Sequence, residues 1–489
     1  MTDQLIDQDA RTRALTDADS TLLVEAGAGT GKTAIMAGRV VKLLANGVLP
    51  DGIAAITFTE LAAAELQQRV ARFIDAVLAG DTPKQITAAF PDGVSQAQAE
   101  NLRQARATLD RLTCTTIHGF CKQMIGPYPV ETGMDPGAKM IDPANAELIF
   151  EDIKKRWLRE RLAGFGDGEE STSGDDLLAQ MLLADPAHAL AKVDEAAKEL
   201  RGNRSAGTQS ATLDRDDIRP FEDAVAEFVD LAAAAGEPDC DAIAAEFGEL
   251  RDSLIAAIET GPDAAGLLAC AEPIRISRMR QGETGFRKWN KKSAFVKAAQ
   301  ARGRSKAEAD RLNDAAQAAH DRVHDTLQAF LEKAARRLNQ RFLDEMRTLL
   351  DRYAAYKTDA ALMDFDDLLI GARDLLRDHP DIRDALARRY RVVLVDEFQD
   401  TDPLQAEILW RLCEAEPRKT ADRPWNERHP EPGRLFLVGD PKQAIYRFRG
   451  ADVGSYLAAR QALGDGAVEQ LSIRANFRSQ QGLIEWVNQ

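Results

Sequence analysis

The chain predicts a doubly wound α/β domain on a parallel sheet, interrupted by a large all-helical insertion. Short apolar runs rich in β-branched residues recur at Thr21 to Val24, Ile53 to Phe58, Val392 to Val395 and Leu435 to Val438, each ending at polar or glycine-containing residues. That is the signature of parallel strands buried on both faces. Helical stretches follow most of these runs, and strand signals vanish from Asp142 to about Tyr356. At 489 residues, more than one hydrophobic core is expected.

The first strand leads into Ala26-Gly27-Ala28-Gly29-Thr30-Gly31-Lys32-Thr33, which opens a helix. Glycines let backbone N–H groups turn onto phosphate oxygens, and the helix N-terminus adds a favourable dipole. Lys32 is placed to reach the β- and γ-phosphates and the Thr33 hydroxyl to ligate Mg²⁺, so the loop predicts ATP binding. After the second strand, Leu61 to Leu78 places Leu66, Val70, Phe73, Ile74 and Val77 on one helical face. A shorter strand candidate lies at Thr113 to Ile117.

The insertion is rich in Ala, Leu, Arg, Glu and Asp, and its charge is uneven. From Arg275 to Lys306 there are eleven basic residues against one acid, Glu283, with Phe286, Trp289 and Phe295 interleaved. Such a stretch suits backbone tracking with base stacking, and Arg287, Lys288 and Lys291 are the candidate DNA contacts. The plainer alternative is a solvated helix face whose aromatics serve the core.

The strand Val392 to Val395 delivers Asp396 and Glu397 to its carboxyl end, where ligands of open α/β sheets sit. Beside a phosphate loop, this pair reads as metal ligand and general base: Asp396 for Mg²⁺, Glu397 for the attacking water. The next strand ends in Gly439-Asp440-Pro441-Lys442-Gln443-Ala444-Ile445-Tyr446-Arg447-Phe448. In the same order come Thr57-Phe58-Thr59, Thr116-Ile117-His118-Gly119-Phe120-Cys121, Asp364-Phe365-Asp366-Asp367-Leu368 and Asn476-Phe477-Arg478-Ser479.

With the phosphate loop and Asp-Glu-Phe-Gln-Asp from Asp396, these segments resemble the UvrD/Rep group of superfamily 1 DNA helicases. The Thr-Ile-His-Gly-Phe-Cys wording and the large insertion look more like the RecB/AddA branch. The resemblance implies an ATP-dependent translocase or helicase moving 3′ to 5′ on single-stranded DNA, in recombinational repair and with a second subunit of an AddAB/RecBCD-like complex. It implies that Gln443 senses the γ-phosphate, that Arg478 is an arginine finger and that Phe477 stacks on adenine. Gln8 or Gln4 would contact adenine, Gln8 being preferred. Thr57, Phe58, Thr59, Thr116 and His118 would lie along DNA, with Tyr446 and Phe448 stacking on bases. A lone His118 would otherwise read as a core histidine. Leu61 departs from the pattern, standing where many relatives carry Lys.

The implied organisation is a first motor domain in two parts, 1–141 and 357–465, around a helical insertion at 142–356, with 466–489 starting a second motor domain. So little of that second domain would make the chain an N-terminal fragment. A nucleotide- and DNA-binding module without autonomous motor activity is the alternative. Five cysteines without a CxxC pair indicate neither a disulfide framework nor a zinc site. A net charge of −16 argues against nonspecific nucleic-acid coating, though it can hide a local patch. No run approaches eighteen apolar residues and the N-terminus lacks a signal-like segment, so a cytoplasmic protein without membrane contact is expected.

Overall fold

In a computed structural model, residues 5–163, 176–202, 213–259, 266–267, 280–281, 285–286, 288–415, 423–443, 453–463 and 468–478 are described. They form two compact units, 1–146 with 357–489, and 147–356.

The first unit is built on a six-stranded sheet, all parallel: β1 (Thr21–Ala26), β2 (Ile53–Thr57), β3 (Thr113–Thr116), β4 (Val392–Val395), β5 (Leu435–Gly439) and β6 (Val468–Ile473). Their spatial order is β6-β1-β5-β4-β2-β3. Strands β2, β4 and β5 are buried at every position, which accounts for their unbroken apolar runs. Apolar clusters cover both faces. One includes Val24, Val40, Ile53, Leu66 and Val438, and the other Leu23, Phe120, Leu375, Val393 and Trp410.

Three helices bear on the site: α1 (Gln8–Thr16), α2 (Lys32–Ala45) and α3 (Glu60–Leu78). The Thr59 hydroxyl caps α3 by accepting from Ala62 N, an arrangement worth about 1 kcal/mol. The α3 face that buries Leu66, Val70, Ile74 and Val77 is the one its periodicity predicts. Where the chain leaves this unit and returns, Lys139–Met140 pairs in parallel with Leu362–Met363.

One expectation is corrected here. Residues 466–489 are read from sequence as the start of a second domain, yet β6 pairs with β1 in register from Thr21↔Val468 to Ala26↔Ile473. The alternating Leu471 and Ile473 side chains are buried in the same core as Val24 and Ile35. Burial of those two side chains therefore makes β6 an edge strand of the first sheet.

The second unit is helical, with a short antiparallel pair, Arg280–Gln281 and Gly285–Phe286, that its sequence pattern does not predict. One of its cores gathers Phe221, Phe228, Phe247, Phe295 and Leu327, and the other Phe150, Trp157, Phe342 and Tyr353. No helix among the described residues is long and apolar enough to cross a membrane.

Candidate ATP site and adjoining groove

The loop between β1 and α2 turns through Gly29 and Gly31, at φ of +77° and +92°. A Cβ on Gly29 would lie 2.5 Å from Arg478 Cβ and 2.8 Å from Asn476 Oδ1, so only glycine admits this approach. Thr30 braces the turn from inside, its hydroxyl donating to Gly27 O at 2.7 Å. Lys32 and Thr33 open α2, whose N-terminus presents free N–H groups to an anion.

At the end of β4, Asp396 is buried and receives the Glu397 backbone N–H at 3.0 Å. Burial, with the neighbouring Glu397 charge, raises its carboxyl to about 6, and Lys32 offsets this only in part. Glu397 sits in left-handed backbone, φ 51° and ψ 43°, a conformation that costs energy in any residue but glycine and marks functional turns. Its carboxylate takes a 2.6 Å ion pair from Lys32 Nζ. Gln443, on the turn after β5, donates to Asp440 Oδ2 at 2.5 Å.

Sequence reasoning misplaces the other wall. Arg478 is read from sequence as belonging to a second domain, but its segment follows β6 and rests on the phosphate loop. Asn476 Nδ2 donates to Ala28 O at 2.9 Å, and Phe477 N donates to Gly29 O at 2.9 Å. Phe477 and Arg478 are exposed beside that loop.

The α1 side chain that reaches the loop is Arg11, three residues after Gln8. Arg11 donates to Asp7, to Thr30 O at 2.9 Å and to Ala475 O at 3.0 Å, and lies 5.0 Å from the centre of the Phe477 ring. Asp7 in turn accepts from Arg474 N and Ala475 N. This buried pair ties α1, the phosphate loop and the Phe477 segment together. An i,i+4 Asp–Arg spacing is its only trace in the sequence, and that spacing is common on ordinary helices.

On the other side of Asp396 and Glu397, a cavity of about 350 Å³ is lined by Thr57, Phe58, Thr59, Ile117, His118, Phe365, both of those carboxylates, Asp400 and Asp402, among others. Four of the five residues expected along DNA thus meet the two expected at the γ-phosphate. Several of their polar atoms are already engaged. The Thr57 hydroxyl donates to Thr59 O, while the Thr116 hydroxyl accepts from Gly119 N to cap the helix Ile117–Ile125 and donates to Glu60. His118 packs edge-on against Phe365 with ring centres 5.0 Å apart, and burial holds its imidazole below the ordinary value. Phe58 and Phe365 remain 40% and 39% exposed, so two aromatic faces stay open to a ligand.

In the helical unit, Lys291 is ion-paired with Asp239 at 2.5 Å and Lys288 is exposed. The interleaved aromatics follow the plainer reading. Phe295 is buried, and Trp289 packs on Phe228, Phe295 and His320 while donating to Asn313 Oδ1. Those two rings serve the core, so base stacking is not available from them. Arg287, Tyr446 and Phe448 lie outside the described residues, as does Gln4.

Residues 7–463 match the family described as UvrD/REP helicase N-terminal domain. The chain belongs to this family. Its curated relatives include proteins named as ATP-dependent helicase/nuclease subunits of the AddA type. That of Ligilactobacillus salivarius is 24% identical over 98% of this chain and 38% of its own length. That of Moorella thermoacetica is 27% identical over 96% and 33%. That of Bacillus anthracis is 24% identical over 96% and 38%. The chain therefore spans between a third and two fifths of these relatives' length.

Proposed function

We propose that this UvrD/REP-family chain binds ATP with Mg²⁺ and couples its hydrolysis to movement on single-stranded DNA, 3′ to 5′, within a cytoplasmic DNA-repair enzyme that includes a second subunit. The motor is formed by 1–141 with 357–465, and 142–356 is its insertion. The observation that carries this is the cavity shared by Phe58, His118 and Phe365 with Asp396 and Glu397. Its acidic lining disfavours a phosphate, whereas its exposed rings suit a neutral base. The strand would thus present a base directly against the groups that act on the γ-phosphate.

The oxygen donors at Thr33 and Asp396 suit a hard cation that completes its shell with phosphates and water. When bound, Mg²⁺ supplies neutralising charge to the phosphates. Lys32 exchanges Glu397 for the phosphates, and Glu397, once released, accepts the proton of the attacking water. Phe477 stacks on the base with Arg11 beneath it, and Arg478 and Gln443 contact the terminal phosphate.

ATP turnover by the full-length gene product, measured with and without single-stranded DNA, tests the coupling. Stimulation of about tenfold or more is expected, an order set by positioning a general base, and equal rates in both conditions would sink the motor reading.

The raised carboxyl of Asp396 gives a second expectation. The group stands at about 6 in the folded chain against an ordinary 3.8, so the folded state holds this proton more tightly than the unfolded one. Its ionisation therefore weakens the fold as pH rises from about 4 to 6. Cation binding needs the ionised form, so Mg²⁺–nucleotide affinity should fall by up to about tenfold per pH unit below 6. Fluorescent-nucleotide titrations between pH 7.5 and 5.5 measure this, and a flat profile would remove Asp396 from the ligand set.

A further inference from the structure

The turns after β4 and β5 are joined by one buried side chain that neither motif reading uses. Gln399 is 2% exposed. Its Nε2 donates to Glu397 Oε2 at 2.7 Å and lies 3.3 Å from Asp400 Oδ2, while its Oε1 accepts from Asp440 N at 2.8 Å. Asp440 Oδ2 then accepts from Gln443, and Glu397 Oε2 also accepts from Lys32. A continuous chain of polar contacts thus runs from the phosphate loop to the Gln443 turn, with Gln399 at its middle.

Only an amide fits this position. It must donate to a carboxylate and accept from a backbone N–H at once, which an ionised Glu, a Met or a Leu cannot do. Gly439 is shaped to admit it, because a Cβ there would fall 2.8 Å from Gln399 Oε1 and 3.2 Å from Gln399 N. The carboxylate that the amide grips belongs to a residue in left-handed backbone, φ 51°. Such a conformation persists only where its surroundings over-determine it.

We propose that Gln399 is a positioning residue that orients the Glu397 carboxylate and locks it to the Asp440–Gln443 turn, so that the base and the phosphate sensor adjust together. This rests on the reading of Glu397 as base. Donation from the amide also stabilises the ionised carboxylate, so losing it makes Glu397 easier to protonate. The coupling is physical: a movement of the Asp440 backbone is delivered to Glu397 through two hydrogen bonds.

The test compares Gln399→Met, Gln399→Glu and Glu397→Gln in the full-length gene product, by fluorescent-nucleotide binding and by ATP turnover against pH and DNA. For Gln399→Met, kcat should fall by about tenfold or more with nucleotide Kd within about threefold, a loss confined to the reaction step. The acid limb of its kcat profile should move to higher pH, and stimulation by DNA should shrink toward unity. Gln399→Glu preserves size and the acceptor toward Asp440 but sets a second carboxylate against Glu397. It should lose turnover while still binding nucleotide, and it keeps the test decisive if the Met variant folds poorly. Wild-type turnover in both variants, or a loss of nucleotide binding that parallels the loss of kcat, overturns the assignment. Turnover retained in Glu397→Gln refutes the base reading itself, and this proposal with it, whatever the Gln399 variants do.

Discussion

Glu397→Gln should lower ATP turnover by about a thousandfold, within the range for removing a general base, while nucleotide binding is kept or tightened. The two effects share one cause in the geometry. Glu397 holds Lys32 in a 2.6 Å ion pair, and the phosphates must compete for that ammonium. The amide retains shape and hydrogen-bonding capacity but gives up the charge, so Lys32 is released to the nucleotide at lower cost. Equilibrium binding of a fluorescent ATP analogue, set beside single-turnover hydrolysis, separates the two. Hydrolysis near the wild-type rate would remove Glu397 from the base role, and weakened binding would mean that its pairing with Lys32 does not compete with phosphate.

Lys32→Ala should abolish turnover through the opposite route, with nucleotide affinity falling by about a hundredfold or more. That is about 3 kcal/mol, the scale of a strong charge-assisted contact. Loss of the ammonium also removes the positive charge that pairs with Glu397 and favours ionised Asp396, which favours a proton on the two carboxylates at neutral pH. The double variant Lys32→Ala/Glu397→Gln discriminates between these contributions. It should recover part of the binding lost in Lys32→Ala, because the uncompensated carboxylate repels phosphate. Identical affinities in the single and double variants would mean that repulsion contributes nothing. Full activity in Lys32→Ala would remove the loop from the nucleotide site.

Much of this protein is legible locally. The phosphate loop needs glycines, Lys and a hydroxyl in one short run, and the Asp396/Glu397 pair announces itself because carboxylates follow four buried apolar positions. The α3 face is readable because burial and helical period are both one-dimensional signals. By contrast, the roles of Thr59 and Thr116 as helix caps and of Phe295 as core compete with functional readings of the same residue types, and only their contacts decide between them.

The sequence by itself determined the family, the parallel α/β character, the helical insertion and the residues at the phosphate end of the site. Tertiary structure alone decided that β6 completes the first sheet, that Arg11 and not Gln8 meets the phosphate loop, and that Gln399 ties Glu397 to Asp440. The physical reason is separation along the chain. Strand partners such as Thr21 and Val468, or hydrogen-bond partners such as Arg11 and Ala475, lie more than four hundred residues apart. Periodicity and motif spacing carry no record of which distant backbone a buried polar group satisfies.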